Sequence, residues 1–280
     1  MFAMTVNKYL EKIEDLSNRK IALAGGTSGV GLQLLFHLVK KNASIVLLAR
    51  NTRKAQAIID ALDYKNIDLI EYDQASFKSI EIGVDTLLKK HPDVDTIVLN
   101  AGELSKKGMT EEGYSLTIGV NYFGVRHFIE YISPKLSNRV RFVVQGSLVA
   151  GTKVKKNDDL TRLDYGVFKQ YNLSKAHLES YIHKLVIDNK YPNLEYVITE
   201  PGITSTGITR HFSKFIQKSG KVFLKVFFSS PKVTSLTLLT GVSRLSSNGD
   251  LITPRGLFTM SGYPKIKKFP HKRERTYLFE

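Results

Sequence analysis

The chain has 280 residues, 42% of them hydrophobic and 24% charged, enough for one large domain or two small ones around a buried core. It contains no cysteine, which excludes disulfides and thiolate metal sites, and it carries a formal charge of +15. No run of about 18 uninterrupted apolar residues occurs, so a membrane-spanning helix is not expected.

Residues 5–19 read as a leading amphipathic helix without the basic start and apolar run of a signal peptide, and the expected location is the cytoplasm. A first strand, "IALAG" (21–25), leads into a helix over 30–42 and a second apolar strand, "SIVLLA" (44–49). A polar helix over 51–63, a strand over 67–73 and a helix over 76–90 follow. The fourth strand is "VDTIVLNAG" (94–102), residues 110–136 read as helical, and "VRFVVQG" (140–146) is the fifth strand. A long helix over 168–189 precedes a sixth strand, "LEYVITEPG" (194–202). Apolar strands alternating with amphipathic helices predict a single α/β domain: a Rossmann-like, doubly wound parallel sheet with helices on both faces. Residues from about 203 to 230 then form an insert before the next helix, and about 262–280 form a basic tail.

Between the first strand and its helix lies "GGTSGVG" (25–31), spaced G-x-x-x-G-x-G through Gly25, Gly29 and Gly31. Such a turn can be purely structural. In a doubly wound sheet it also lies where a helix N-terminus aims free N–H groups at an anion, and missing Cβ atoms let a pyrophosphate approach. The second strand ends in "ARNTRK", with Arg50 where an NAD site usually carries a carboxylate. A planar guanidinium there suits the 2′-phosphate of NADP. Asp73, at the end of the third strand, reads either as a helix N-cap or as a contact to the adenine.

"QYNLSKAHLESY" sets Tyr171 and Lys175 four residues apart on one helical face. A phenol is a poor acid–base catalyst at neutral pH, and a neighbouring ammonium lowers its pKa. Taken together, the motifs resemble those of the short-chain dehydrogenase/reductase family over roughly residues 20–206. "AGGTSGVG" is similar to T-G-x-x-x-G-x-G, "LNAG" (99–102) to N-N-A-G, and "EPGITST" (200–206) to P-G-x-x-x-T. "VNYFG" carries Asn121, "VVQGS" carries Ser147 and "YNLSK" carries Tyr171 and Lys175. Ala24 departs from the pattern, removing a threonine hydroxyl that ties the loop to neighbouring backbone. "ARNTRKAQ", "DQASFKSI", "MTEEGYSLTIGVNYFGVRHFI" and the 24 positions from Ser147 to Tyr171 resemble the retinol-dehydrogenase-like branch.

The resemblance implies an NADP(H)-dependent oxidoreductase acting on a small-molecule carbonyl/alcohol pair. Tyr171 would be the general acid or base. Ser147 would bond the substrate oxygen, Lys175 the nicotinamide ribose, and Asn121 a water linking Lys175 to solvent. Gly25, Thr27, Ser28, Gly29, Val30, Gly31, Asn100, Ala101 and Gly102 would line the cofactor, with Arg50 and Asp73 at its adenosine end. Pro201 and Gly202 would shape a turn whose Ile203 and Thr206 meet the carboxamide. A different class of reading is a non-catalytic NADP(H)-binding redox sensor, which has no need of the tyrosine–lysine pair.

"HFSKFIQKSGKVFLKVFFSS" puts Phe212, Phe215, Phe223 and Phe227 along one helical stripe, with Lys214, Lys218, Lys221 and Lys225 opposite. This insert reads as a substrate lid, as a lid that also touches an anionic membrane, or as a protein interface. From Arg210 to the end stand 14 lysines and arginines against 3 acidic residues, so the basic excess is concentrated there. Nucleic-acid binding ranks last because no recognition module accompanies that charge. A homo-oligomer is compatible with the sequence. The seven histidines show no metal-ligand spacing, and no metal is expected.

Overall fold

Each of the six apolar runs forms a strand, because aliphatic side chains fill a pleat that is buried on both faces. The structure is a computed structural model that describes residues 4–105, 107–150, 155, 158–202, 229–256 and 259–269. Its strands are β1 (Lys20–Ala24), β2 (Ser44–Ala49), β3 (Ile67–Glu71), β4 (Thr96–Leu99), β5 (Val140–Gln145) and β6 (Leu194–Thr199). Two more, β7 (Asp250–Pro254) and β8 (Pro264–Lys268), complete one eight-stranded sheet ordered β3-β2-β1-β4-β5-β6-β7-β8. Every neighbouring pair is parallel except β7 with β8. Part of the segment read as a basic tail is therefore an edge strand. Its Lys265, Lys267 and Lys268 are exposed, which discourages edge-to-edge association.

The helices are α1 (Val6–Leu10), α2 (Gly29–Lys40), α3 (Thr52–Leu62), α4 (Phe77–Lys90), α5 (Leu116–Ile118), α6 (Gly124–Ile132), α7 (Val167–Asp188) and α8 (Pro231–Val242). Alternation along each strand divides the core in two. Ala22 and Ala24 of β1 enter a cluster with Phe128 and Phe142 and residues of α4, α6 and α7. Ile21 and Leu23 enter another with residues of α1, α2 and α8. The result is the doubly wound α/β domain expected from the sequence. Strand order reverses between β1 and β4, and a crevice opens at their carboxyl ends.

Two helices differ from expectation. The leading helix spans only Val6–Leu10, not residues 5–19. Asp15 Oδ1 accepts the Ser17 N–H, and the Leu16 N–H bonds Lys41 O, so this stretch turns to dock against the end of α2 with Ile13 and Leu16 buried. The stretch read as helical over 110–136 starts at Leu116 instead, after a turn in which Thr110 N–H bonds Tyr114 O. It then passes through a π-helical turn, Gly119–Phe123, before α6.

Candidate active site

The glycine loop leaves β1 in a conformation that only glycine tolerates well. Gly25 has φ +80°, and a Cβ there would lie 2.6 Å from Ala101 N. At Gly31 a Cβ would come within 2.1 Å of Gly25 O, so the first turn of α2 can close onto the loop only without a side chain. Asn100 ties this loop to β4, its Nδ2 donating to Gly25 O at 3.0 Å, which supplies a link although Ala24 offers no hydroxyl. Helices α1, α3, α4 and α8 each begin with a side-chain oxygen accepting a backbone N–H. Ser28 at the start of α2 makes no such bond, so the first-turn N–H groups keep their positive end for an anion.

Gly25, Thr27, Ser28, Arg50, Asp73, Ala101 and Gly102 all border a cavity of about 340 Å³ beside this loop. Gly29 and Val30 form the opening residues of α2, Val30 being buried. The Arg50 side chain is 64% exposed at the rim, 3.9 Å from the Asp73 carboxylate, and Asn51 and Lys54 stand beside it. Asp73 is not the cap of α4. Ser76 caps that helix, while Asp73 Oδ1 accepts the Ala75 N–H in a tight turn beside the cavity that Asp73 lines. Asn100 Oδ1 is buried without a hydrogen-bond partner among the described residues. A shaped floor, an uncapped helix start and a rim guanidinium fit a phosphorylated dinucleotide.

The candidate reactive groups lie on α7 and just past the end of β5. Tyr171 and Lys175 occupy successive turns, and the Ser147 side chain, two residues past β5, hydrogen-bonds with the Tyr171 hydroxyl. Lys175 is buried and its Nζ donates to Gln145 O at 2.7 Å. Burial pushes its pKa down to about 8, opposed by the nearby Glu179 carboxylate. The Tyr171 pKa is raised, chiefly by burial, lowered by its bond with Ser147 and raised again by Glu179. The sequence predicted the opposite direction from the neighbouring ammonium. The difference is physical: desolvation outweighs the favourable bond, and Lys175 is engaged with Gln145 O.

Asn121 is fully buried in the π-helical turn, a local geometry that often accompanies functional sites. Its Oδ1 accepts the Glu103 N–H and its Nδ2 donates to Glu103 O, both at 2.8 Å. The side chain thus braces the segment after Gly102 against the helix that faces α7. Pro201 and Gly202 follow β6, and Gly202 packs so tightly that a Cβ would meet Met260 O at 2.4 Å. Ile203, Thr206 and the aromatic, basic insert through residue 228 lie outside the described residues, as does the tail from 270.

Sequence reading missed two residues here. Gln74 is buried and donates from Nε2 to Val120 O at 2.7 Å and Ala101 O at 3.3 Å, which joins the end of β3 to both neighbouring segments. Glu179, one turn beyond Lys175, accepts the Ser147 N–H at 2.9 Å. A polar residue repeating at i, i+4, i+8 from Tyr171 was the available signal for Glu179. Among the described residues no group of three acidic or histidine side chains is placed to hold a metal ion, and no helix is long and apolar enough to cross a membrane.

Comparison with known proteins identifies the family and the fold. Residues 19–217 match the family model described as short chain dehydrogenase. A short-chain dehydrogenase/reductase of Emericella nidulans is 26% identical over 254 residues, covering 82% of this chain and 80% of the relative. An uncharacterised protein of Mycobacterium paratuberculosis superposes with a TM-score of 0.74 at 17% identity, covering 95% of this chain and 90% of that one. A short chain dehydrogenase of Burkholderia cenocepacia, solved in complex with NADP, gives 0.63 at 21% identity over 82% and 92% of the two chains.

Proposed function

Since the chain belongs to the short-chain dehydrogenase family, we propose that it interconverts a carbonyl and an alcohol on a hydrophobic small molecule, using NADP(H). The observation that carries this reading is the hydrogen bond between the Ser147 and Tyr171 side chains, one helical turn from Lys175 and at the same sheet edge as the glycine loop. NADP in the Burkholderia cenocepacia relative supports the cofactor, as does the Arg50 guanidinium at the rim of the cavity. The aromatic side chains in the sequence of the 203–230 insert favour a bulky apolar substrate.

When bound, the nicotinamide supplies or accepts the hydride. The protein's part is to bind, orient and move a proton. Tyr171, its pKa raised, is protonated at neutral pH and serves as the acid that protonates the carbonyl oxygen. Ser147 donates to the same oxygen and stabilises its developing charge. Lys175 turns its ammonium to the nicotinamide ribose and favours the phenolate left on Tyr171. Asn121 would hold a water that links Lys175 to solvent, its side chain being bonded to the Glu103 backbone. Ile203 and Thr206 would contact the carboxamide.

A panel of aromatic and long-chain aldehydes and ketones, assayed by NADPH and NADH absorbance, tests the reading. We expect NADPH-dependent reduction of at least one apolar member. Dinucleotide binding without any turnover would instead favour a redox sensor.

A further inference from the structure

Beyond Gln145 the ladder of β5 has one last bond, from Gly146 N–H to Thr199 O at 2.9 Å. Ser147 lies past it, so no strand neighbour fixes the backbone that carries the hydroxyl facing Tyr171. Its N–H is taken up by the Glu179 carboxylate at 2.9 Å. Glu179 is only 6% exposed, and a buried carboxylate is costly unless it is hydrogen-bonded. The fit is close on the other side as well. A Cβ on Gly146 would lie 2.4 Å from Glu179 Oε1, so glycine leaves the room that the carboxylate occupies. One face of α7 therefore grips the end of β5 at three points: Lys175 on Gln145 O, Glu179 on Ser147 N–H, and the Tyr171 hydroxyl on the Ser147 side chain.

We propose that Glu179 is a positioning residue for the reaction, its carboxylate fixing the Gly146–Ser147 turn so that the Ser147 hydroxyl meets that of Tyr171. The proposal rests on the oxidoreductase reading above. An accepted N–H, rather than contact with substrate, is the means. Removing the acceptor leaves a buried donor unpaired and lets the turn relax, and small misplacements of a catalytic hydroxyl are expensive in rate.

Three variants test it. Glu179→Gln keeps an oxygen in place for the Ser147 N–H, Glu179→Leu removes it at similar volume, and Gly146→Ala pushes the carboxylate away while leaving residue 179 intact. In the cofactor-free protein, hydrogen exchange at the Ser147 amide, followed by NMR, is expected to be slow in wild type and Glu179→Gln. In the other two it should quicken by about 10-fold or more. With the carbonyl that wild type reduces fastest, kcat should fall about 10-fold or more in Glu179→Leu and Gly146→Ala, with the NADPH KM unchanged and Glu179→Gln restoring most of the rate. Unchanged exchange and kcat in Glu179→Leu and Gly146→Ala would overturn the proposal, as would equal losses in Gln and Leu. The exchange arm needs no substrate: absence of wild-type turnover would count against the oxidoreductase reading and leave the positioning of Ser147 to be decided by exchange alone.

Discussion

The residues to which the proposed chemistry is assigned were legible because their spacing is itself chemical. Tyr171 and Lys175 must share a helix face, and Gly25 and Gly31 must lack side chains. Glu179 and Gln74 escaped because their partners, Ser147 N–H and Val120 O, lie 32 and 46 positions away and meet them only in the folded sheet. The direction of the Tyr171 shift escaped for the same reason: spacing reveals a neighbour, while burial is a property of the fold. That burial has a consequence for pH. Lys175, with its pKa lowered to about 8, loses its charge as pH rises through that value. Carbonyl reduction requires both the ammonium and a protonated Tyr171, so kcat/KM should be level below about pH 8 and fall above it. A profile flat to pH 10 would contradict this assignment. Arg50, mostly exposed at the cavity rim, is expected to act on cofactor choice alone. Arg50→Ala should raise the NADPH KM about 10-fold or more while barely changing the NADH KM, which steady-state kinetics with both cofactors would show.

At the scale of elements, periodicity served well wherever an element is closed by local signals. β2 runs over Ser44–Ala49 as read, and α3, α4 and α7 lie within a residue of the predicted ends. The leading helix came out shorter because Asp15 closes a turn and the chain docks against α2. Strands β7 and β8 were not read at all. β8 is an edge strand whose run, PKIKK, is mostly lysine, so no apolar stretch marks it, although it pairs antiparallel with the nearby β7. The tightest element-level constraint is the join of the glycine loop to α2. Gly31→Ala would set a methyl 2.1 Å from Gly25 O and force the two apart. NADPH affinity by fluorescence titration should then fall about 10-fold or more, and the thermal midpoint should drop with it because the clash is with backbone. Wild-type affinity in this variant would mean that the closed loop is not the phosphate cradle.

Across the whole molecule, two apolar clusters on opposite faces of one sheet carry the fold, and the titratable groups buried with them set its response to acid. Burial lowers the pKa of His37, His91 and His177, the last to about 4. The unfolded chain takes up these protons near the ordinary value of 6.5, and the folded chain only at lower pH. Between those values the unfolded state holds more protons, so stability present above about pH 6.5 is lost as pH falls toward 4. Denaturant midpoints should drop over that window, and less steeply in His177→Gln; a midpoint independent of pH there would show that these histidines are not buried neutral. The sheet places the glycine loop, Ser147, Tyr171 and Lys175 at one edge, and the central claim is that this edge is a tyrosine-dependent reductase site. The most direct measurement is single-turnover carbonyl reduction by Tyr171→Phe alongside NADPH binding. The account predicts unchanged binding with the rate reduced about 100-fold or more. Full activity in Tyr171→Phe would contradict it.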